Sequence, residues 1–233
     1  MLYLIGLGLD SEGISKQGLE IAKKCKSIYL ENYTVEFPYS INEVSEMIGK
    51  KVRLANRGFV ESLEIVDEAK HKDVALLVYG SPLTATTHIS LVDEARKSGI
   101  KCTIIYSASV LDAVAETGLQ LYKFGKITSI PKFEADSFME IILENKSINA
   151  HSLILCDIGL EFKDALKKLE EACKKNNFKS IGRIVVCSRL GTKEQRFYCD
   201  FIERLQEKNI DAPFCIIIPG KLHFLEEEYL KGI

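Results

Sequence analysis

The chain has 233 residues, which is enough for one large or two small domains and for a sizeable buried core. Its 31 lysines and arginines against 33 aspartates and glutamates give a formal charge of -2, so no overall positive field attracts nucleic acid or an anionic membrane. No stretch approaches the roughly 20 apolar residues that a membrane span needs. The composition excludes fibrous and disordered proteins and predicts a globular one without a nucleic-acid or membrane partner.

The seven cysteines form no CxxC pair, and no histidines cluster near them. This pattern argues against a disulfide framework, a zinc site and a thioredoxin-like motif, so we expect no metal and a cytoplasmic location. Several cysteines lie inside apolar runs, where they act as small core residues. The N-terminal segment Met1–Gly6 has no basic region and predicts a first strand, not a signal peptide.

Continuous apolar runs predict strands that are covered on both faces. In chain order these runs are Leu2–Ile5, Ser27–Leu30, Val74–Val78, Cys102–Ile105, Leu153–Cys156, Arg183–Cys187 and Phe214–Ile218. Amphipathic stretches between them predict the helices Gly18–Lys26, Val60–His71, His88–Gly99, Lys163–Asn176 and Lys193–Lys208. This alternation is typical of the α/β class.

A domain boundary is expected near Tyr106–Ser109, because several strand-helix units are complete there and a new series starts after Gly125. We therefore predict two α/β lobes, residues 1–107 and residues 108–233. The absence of an evident flexible linker indicates closely packed lobes, and the cleft between them is the expected ligand site.

Two glycine-containing loops end buried strands. Gly6-Leu7-Gly8 follows the first strand, where glycine lets the backbone approach a ligand closely. A Rossmann dinucleotide site would have a third glycine at Ser11, so this loop alone favours a nucleoside cofactor over a dinucleotide. Glu31 lies at the distance of the ribose-binding acid, and it keeps a dehydrogenase as an alternative. A purely structural turn is equally compatible with this first loop.

The second loop, Gly80-Ser81-Pro82-Leu83, is followed by the hydroxyl residues Thr84, Thr86 and Thr87 and by His88. Proline fixes the backbone, and we expect Thr86 or Thr87 to cap the next helix. Because ligands of open α/β sheets bind at the carboxyl ends of strands, hydroxyls and amides here are candidates for binding a carboxylate or a ribose. The structural alternative is a plain turn before a capped helix.

A third loop, Pro219–His223, ends the strand Phe214–Ile218 in the same way. Lys221 and His223 are candidates for anion or base contacts, and Glu226-Glu227-Glu228 is interpreted as an exposed helix face. No Ser/His/Asp order, HExxH or phosphate-loop motif is present, which excludes the corresponding hydrolases and nucleotide triphosphatases.

These loops, in this order, resemble the diphthine synthase family of class III, tetrapyrrole-methylase-like methyltransferases. The resemblance extends over nearly the whole chain. Its motifs are Tyr3–Leu9, Gly18–Lys24, Glu31–Thr34, Ala85–His88, Gly118–Gly125 and Pro219–His223. The Gly-x-Pro-Leu loop is shared with the wider class, whereas Ala-Thr-Thr-His, Tyr-Lys-Phe-Gly and Pro-Gly-Lys-Leu-His are more specific.

The resemblance implies a homodimer that binds S-adenosyl-L-methionine between its lobes and releases S-adenosyl-L-homocysteine. The protein substrate of the family is translation elongation factor 2. The family methylates the amino group of a 3-amino-3-carboxypropyl arm on histidine, giving diphthine. Archaeal-type members stop at the trimethylated amine, eukaryotic ones add a methyl ester, and this short chain resembles the archaeal type.

The resemblance places cofactor contacts on Leu9, Ser81, Thr84, Ser109, Val110, Cys156, Leu190 and His223.

One position departs from the family pattern: Ser81 stands where the family usually has aspartate. Serine offers the cationic cofactor a neutral hydrogen bond instead of an ionised one. No catalytic acid or base is assigned, because methyl transfer from a sulfonium relies on positioning. The alternatives are another class III methyltransferase acting on a porphyrinoid or ribosomal RNA, a nicotinamide-dependent dehydrogenase, and an inactive protein-binding module.

Overall fold

The computed structural model describes residues 1–178 and 181–233. The chain divides into two compact units, Met1–Asp112 and Ala113–Ile233, each of which combines a sheet with helices. The predicted α/β class with two lobes is confirmed, whereas the boundary at residues 107 and 108 and the cofactor cleft stay predictions. Among the described residues, no helix is both long enough and apolar enough to span a membrane.

The N-terminal unit alternates strands with helices. Its elements are β1 (Leu2–Gly6), α1 (Lys16–Lys24), β2 (Ser27–Glu31), α2 (Ile41–Ile48), β3 (Arg53–Ala55), α3 (Arg57–Glu61), α4 (Glu64–Ala69), β4 (Val74–Val78), α5 (Ile89–Lys97) and β5 (Cys102–Ile105), with α6 (Val110–Ala113) at the unit boundary. The four strands predicted here are confirmed, and the short strand β3 was missed. The predicted helix Val60–His71 is wrong in one respect, because Leu63, with φ of 65°, separates α3 from α4.

The five strands of this unit form one fully parallel sheet in the order β3-β2-β4-β1-β5. Central strand β4 is wholly buried, and its residues alternate between two apolar clusters. Val74, Leu76 and Val78 pack into one cluster, and Ala75 and Leu77 into the other. Both faces of the sheet are therefore covered, which is why its strands are continuously apolar.

The C-terminal unit begins with two short 3-10 helices, Val114–Thr117 and Leu121–Lys123. The remaining elements are β6 (Thr128–Ile130), α7 (Phe138–Ser147), β7 (Ser152–Cys156), α8 (Phe162–Lys175), β8 (Ile184–Ser188), β9 (Arg196–Asp200), α9 (Ile202–Leu205), β10 (Phe214–Ile218) and α10 (Phe224–Leu230). The three predicted strands are present, with ends that differ by at most one residue.

The second sheet is mixed, in the order β6-β7-β10-β8-β9. Strands β6 and β7 are parallel, whereas β10 runs antiparallel to both of its neighbours and β9 antiparallel to β8. Helices α7 and α8 pack their apolar faces on one side of the sheet, around Phe138, Leu166 and Ile216.

The predicted helix Lys193–Lys208 is wrong, because this segment forms edge strand β9 and the single helical turn α9. Phe197, Tyr198 and Cys199 are residues that fit a pleated surface, and they lie opposite Cys187, Val186 and Val185 of β8. Pairing with β8 outweighs the helix-like spacing of the apolar residues in this segment.

Candidate functional site

The carboxyl ends of β2 and β4 form the switch point of the parallel sheet. The two strands are neighbours, but the chain leaves β2 toward β3 and leaves β4 toward β5, in opposite directions. In open α/β sheets a crevice opens where connections diverge in this way, and ligands bind there. The second glycine loop predicted from the sequence follows β4, and the first follows β1, the neighbour of β4 on its other side.

Backbone hydrogen bonds join the two loops. The Gly8 N–H donates to the Gly80 carbonyl at 3.1 Å, and the Gly80 N–H donates to the Gly8 carbonyl at 2.8 Å. A Cβ atom at Gly6 would lie 2.6 Å from the Gly80 oxygen and 3.0 Å from Cβ of Ser107, which follows β5. Three strand-end loops therefore converge, and glycine is required because no side chain fits between them.

Two hydroxyls of this edge are available to a ligand. Ser81 is 8% exposed and Thr84 is half-buried, and neither side chain has a hydrogen-bond partner among the described residues. Two other hydroxyls near this edge are occupied, since Thr86 donates to the Pro82 carbonyl and Ser107 to the Gly13 carbonyl, both at 2.8 Å. The structure thus separates ligand-accessible hydroxyls from structural ones, a distinction that the sequence does not show.

Ser109 has a structural role that limits how it can bind. Its hydroxyl donates to the Asp112 carboxylate at 2.9 Å and accepts from the Leu111 N–H at 3.2 Å, while its own N–H donates to Asp112 at 2.7 Å. Ser109 thus caps the start of α6, and the Asp112 side chain in turn binds the Ser109 N–H. Because the hydroxyl and the N–H of Ser109 are both engaged, the polar groups left for a ligand are the Ser109 carbonyl and the main chain of Val110.

Glu31 is fully buried at the end of β2, and its carboxylate is occupied internally. It accepts hydrogen bonds from the Tyr33 N–H at 2.8 Å, the Thr34 N–H at 2.7 Å and the Thr34 hydroxyl at 2.7 Å. A ribose-binding acid needs free acceptor oxygens that face the ligand. Glu31 instead shapes its own loop, which argues against the dehydrogenase alternative.

His88 is 1% exposed and occupies the position just before α5. The expected capping by Thr86 or Thr87 is wrong, since the Thr86 hydroxyl turns back to the Pro82 carbonyl and no side-chain bond caps this helix in the described chain. His88 Nδ1 also lies 3.1 Å from the Pro82 carbonyl, and Nε2 lies 3.3 Å from the Tyr33 hydroxyl. The Thr86 hydroxyl, expected to accept a hydrogen bond from a helix N–H, instead donates one within the preceding turn.

In the C-terminal unit the predicted site residues lie at two different edges of the sheet. Half-buried Cys156 ends β7, and buried Leu190 follows β8, so both lie at the edge where β10 begins. Because β10 is antiparallel to both strands, the loop that ends at His223 lies at the opposite edge. The prediction that this third loop ends the strand Phe214–Ile218 is confirmed, but the loop lies at the sheet edge opposite to Cys156 and Leu190.

His223 caps the last helix and is exposed to solvent. Its Nδ1 accepts from the Leu225 N–H at 3.4 Å, and its own N–H donates to the Glu226 carboxylate at 2.7 Å. Since Nδ1 is an acceptor, neutral His223 has its proton on Nε2. That N–H is the group that this residue can offer a ligand.

Glu226 contradicts the interpretation of the acidic triplet as an exposed face, because its side chain is 1% exposed. Its carboxylate accepts from the Gln120 N–H at 2.9 Å, from Lys123 Nζ, and from His151 Nε2 at 3.1 Å. Burial acts to raise the pKa of Glu226, but these hydrogen bonds, together with the one from the His223 N–H, outweigh it and hold the pKa at about 2. The ionised carboxylate joins the Gly118–Gly125 segment to the last loop.

His151 completes this network as a neutral imidazole. The Gly220 N–H donates to Nδ1 at 2.8 Å, so Nδ1 has no proton, and Nε2–H donates to Glu226. Burial lowers the pKa of His151 below its ordinary 6.5, although Glu226 opposes the shift. The sequence analysis did not predict Glu226, His151 or Asp112 as organising residues. For Asp112 alone the sequence contains a signal, the Ser109-x-x-Asp112 spacing that is typical of a capping box.

Comparison with known proteins assigns the family. The model of the tetrapyrrole (corrin/porphyrin) methylases matches residues 1–206. The diphthine synthase of Methanocaldococcus jannaschii is 39% identical over 99% of this chain and 98% of its own. The chain belongs to the diphthine synthase family of tetrapyrrole methylases. The resemblance inferred from the loops is thereby confirmed.

Two further relatives show the breadth of this family. The probable diphthine methyl ester synthase of Arabidopsis thaliana is 36% identical over 99% of this chain and 97% of its own. A crystal structure of a diphthine synthase, 33% identical, superposes with a TM-score of 0.92 over 99% of this chain and 94% of that chain. This chain is accordingly a methyltransferase, and its fold is that of the diphthine synthases.

Proposed function

We propose that this enzyme transfers methyl groups from S-adenosyl-L-methionine to the amino group of the 3-amino-3-carboxypropyl-histidine of translation elongation factor 2. Three successive transfers give diphthine, as in archaeal-type members of the family. One observation supports the proposal most strongly. At the switch point of the parallel sheet, this chain presents two hydroxyls without a partner among the described residues, those of Ser81 and Thr84. Hydroxyls at such an edge suit the carboxylate or ribose of a nucleoside cofactor.

We assign the cofactor contacts to eight residues in two groups. Leu9, Ser81, Thr84, Ser109 and Val110 belong to the N-terminal unit, and Cys156, Leu190 and His223 to the C-terminal unit. Leu9 and Leu190 are buried apolar side chains that suit the adenine or the methylene chain, and the main chain at Ser109 and Val110 offers hydrogen bonds. Burial raises the pKa of Cys156, so its thiol stays protonated.

When bound, the cofactor supplies a methyl group on a positively charged sulfur. The residues of this chain position that group and exclude water from it. The substrate amine must be unprotonated and in line with the methyl carbon, at roughly 3–3.5 Å. Desolvation and orientation then provide the rate, and no side chain is assigned as general acid or base.

The number of transfers decides between the two activities that occur among the relatives. We assign trimethylation without ester formation, and mass spectrometry of elongation factor 2 that bears the unmethylated arm tests this assignment. The expected product has three added methyl groups that survive alkali. A fourth, alkali-labile methyl group would instead identify a methyl ester synthase.

A binding experiment separates the remaining alternatives. S-adenosyl-L-homocysteine should raise the melting temperature of the protein, and NAD should not. Stabilisation by NAD alone would overturn the proposal in favour of a dehydrogenase. Binding of the homocysteine product without any labelling of elongation factor 2 would favour another class III methyltransferase, with a porphyrinoid or ribosomal RNA substrate.

We further propose that the enzyme works in the cytoplasm as a homodimer. All seven cysteines are free thiols in the structure, which suits a reducing compartment. Light scattering at micromolar concentration tests the assembly: a mass of twice 26.2 kDa is expected, and a monomer would contradict it.

A further inference from the structure

Pro82 is held from two sides. Its ring lies against β1, where the Cδ atom would be 3.1 Å from a Cβ at Gly6. Its carbonyl oxygen accepts the Thr86 hydroxyl at 2.8 Å and lies 3.1 Å from His88 Nδ1. A carbonyl has two lone pairs, so these two side chains use its full capacity.

The protonation of His88 follows from its partners. Because a carbonyl only accepts, Nδ1 carries the proton that bonds Pro82, and Nε2 of the neutral ring accepts from the Tyr33 hydroxyl. Burial, with the carboxylates Glu31 and Glu61, raises the pKa of Tyr33 to about 12, so that hydroxyl stays protonated and donates. The backbone of Tyr33 is fixed in turn by Glu31 at 2.8 Å.

The held carbonyl lies inside the turn that presents the two available hydroxyls. The Thr84 N–H donates to the Ser81 carbonyl at 3.0 Å, so residues 81–84 form a tight turn around Pro82. Fixing the peptide after Pro82 therefore fixes the directions of Ser81 and Thr84. His88 itself is buried behind the turn and is 1% exposed, so it cannot contact a ligand in solvent.

We propose that His88 is a positioning residue, which acts through the Pro82 carbonyl to hold the Ser81–Thr84 turn in the conformation that binds the cofactor. The inference rests on the proposed function of this turn. It assigns His88 to cofactor affinity and gives it no part in the methyl transfer itself. Preorganising a binding loop lowers the free-energy cost of ordering it at the moment of binding, so loss of the contact weakens binding.

The test compares three substitutions. His88→Asn keeps a donor at the δ position, His88→Gln moves the donor one bond further out, and Thr86→Val removes the second donor to Pro82. Calorimetry with S-adenosyl-L-homocysteine and steady-state kinetics are measured for each. We expect His88→Gln and Thr86→Val each to raise the Kd for S-adenosyl-L-homocysteine and the cofactor KM about tenfold, because each variant loses a buried hydrogen bond. Their kcat should stay within about twofold of the parent value. For His88→Asn, both Kd and KM should stay within about threefold of the parent values.

Each outcome is decisive. Unchanged Kd in both His88→Gln and Thr86→Val would overturn the inference, as would a fall in kcat at unchanged KM. Because His88 is buried, melting temperatures are recorded alongside, and Thr86→Val tests the same carbonyl if His88→Gln unfolds. Failure of the parent protein to bind S-adenosyl-L-homocysteine would refute the proposed function instead, independently of any variant.

Discussion

Gly8 and Gly80 exchange two backbone hydrogen bonds, at 3.1 and 2.8 Å, across the ends of neighbouring parallel strands. Both residues have positive φ, 73° and 68°, which side-chain-bearing residues rarely adopt. The pair closes the loops of β1 and β4 onto each other without any side chain. The site is therefore shaped first by backbone, and its side chains are placed by that backbone.

Gly8→Ala should abolish cofactor binding and destabilise the protein. A left-handed conformation costs alanine about 1–2 kcal/mol, and the added Cβ would also lie 2.8 Å from the Gly13 carbonyl oxygen. Gly99→Ala is the matched control, since Gly99 has φ of 68° and no atom within 4 Å of its Cβ position. Urea denaturation and calorimetry should show a larger loss for Gly8→Ala; equal losses in the two variants would contradict the steric argument.

Ser81→Asp should tighten binding of S-adenosyl-L-methionine. An ionised carboxylate makes a stronger hydrogen bond to an ammonium than a hydroxyl does, and a gain of about 1 kcal/mol corresponds to roughly fivefold in Kd. Ser81→Asn is the control, because asparagine matches aspartate in size but carries no charge. This variant should bind the cofactor no better than the parent does. Calorimetry measures both variants, and weaker binding by the aspartate variant would show that Ser81 does not face the cationic part of the cofactor.

The N-terminal sheet was predictable because a strand that is buried on both faces consists of a continuous run of apolar residues. Val74–Val78 is such a run, and its predicted ends match the structure. Strand β9 was mistaken for part of a helix because it lies at an edge, is partly exposed and includes charged residues at both ends. Its conformation comes from pairing with β8, which is a property of the tertiary fold and not of local sequence.

The site was predictable as loops but not as hydrogen bonds. Gly6, Gly8 and Gly80 were identified because glycine at the end of a buried strand indicates a tight turn or a close backbone approach. Glu226 was misplaced because three consecutive glutamates usually indicate a solvated face. Its partners Gln120 and His151 lie 106 and 75 residues away, so only the folded chain brings them to the carboxylate.

Ser109→Ala should lower the free energy of unfolding by about 1 kcal/mol, because the alanine removes the N-cap of α6. Ser109→Thr keeps the hydroxyl and should retain most of the stability. Cofactor affinity should follow stability across the two variants, since only main-chain groups at Ser109 and Val110 remain free to bind. Urea denaturation and calorimetry test this. Weakened binding by the alanine variant at unchanged stability would show that the hydroxyl contacts the cofactor directly.

The His151–Glu226 pair should make stability fall in acid over two ranges of pH. The pKa of His151 is lowered below 6.5 in the folded protein, so the unfolded chain binds an extra proton as the pH drops below 6.5. The stabilisation from neutral His151 is thus complete above that pH and is lost below it. The pKa of Glu226 is about 2 in the folded protein against an ordinary 4.5. The stabilisation from its ionised carboxylate is therefore complete above pH 4.5 and is lost as the pH falls from 4.5 to about 2. Each group contributes a slope of at most about 1.4 kcal/mol per pH unit.

Urea denaturation at a series of pH values between 7.5 and 5, on the order of six points, isolates the histidine contribution. His151→Gln removes the titrating group, so its unfolding free energy should be lower at neutral pH and should decline less steeply toward pH 5. His71→Gln is the control, because His71 is exposed and its loss should leave the slope unchanged. An equally steep decline in the parent and in His151→Gln would mean that folding does not lower the pKa of His151, in conflict with its burial and with the hydrogen bond that the Gly220 N–H donates to Nδ1.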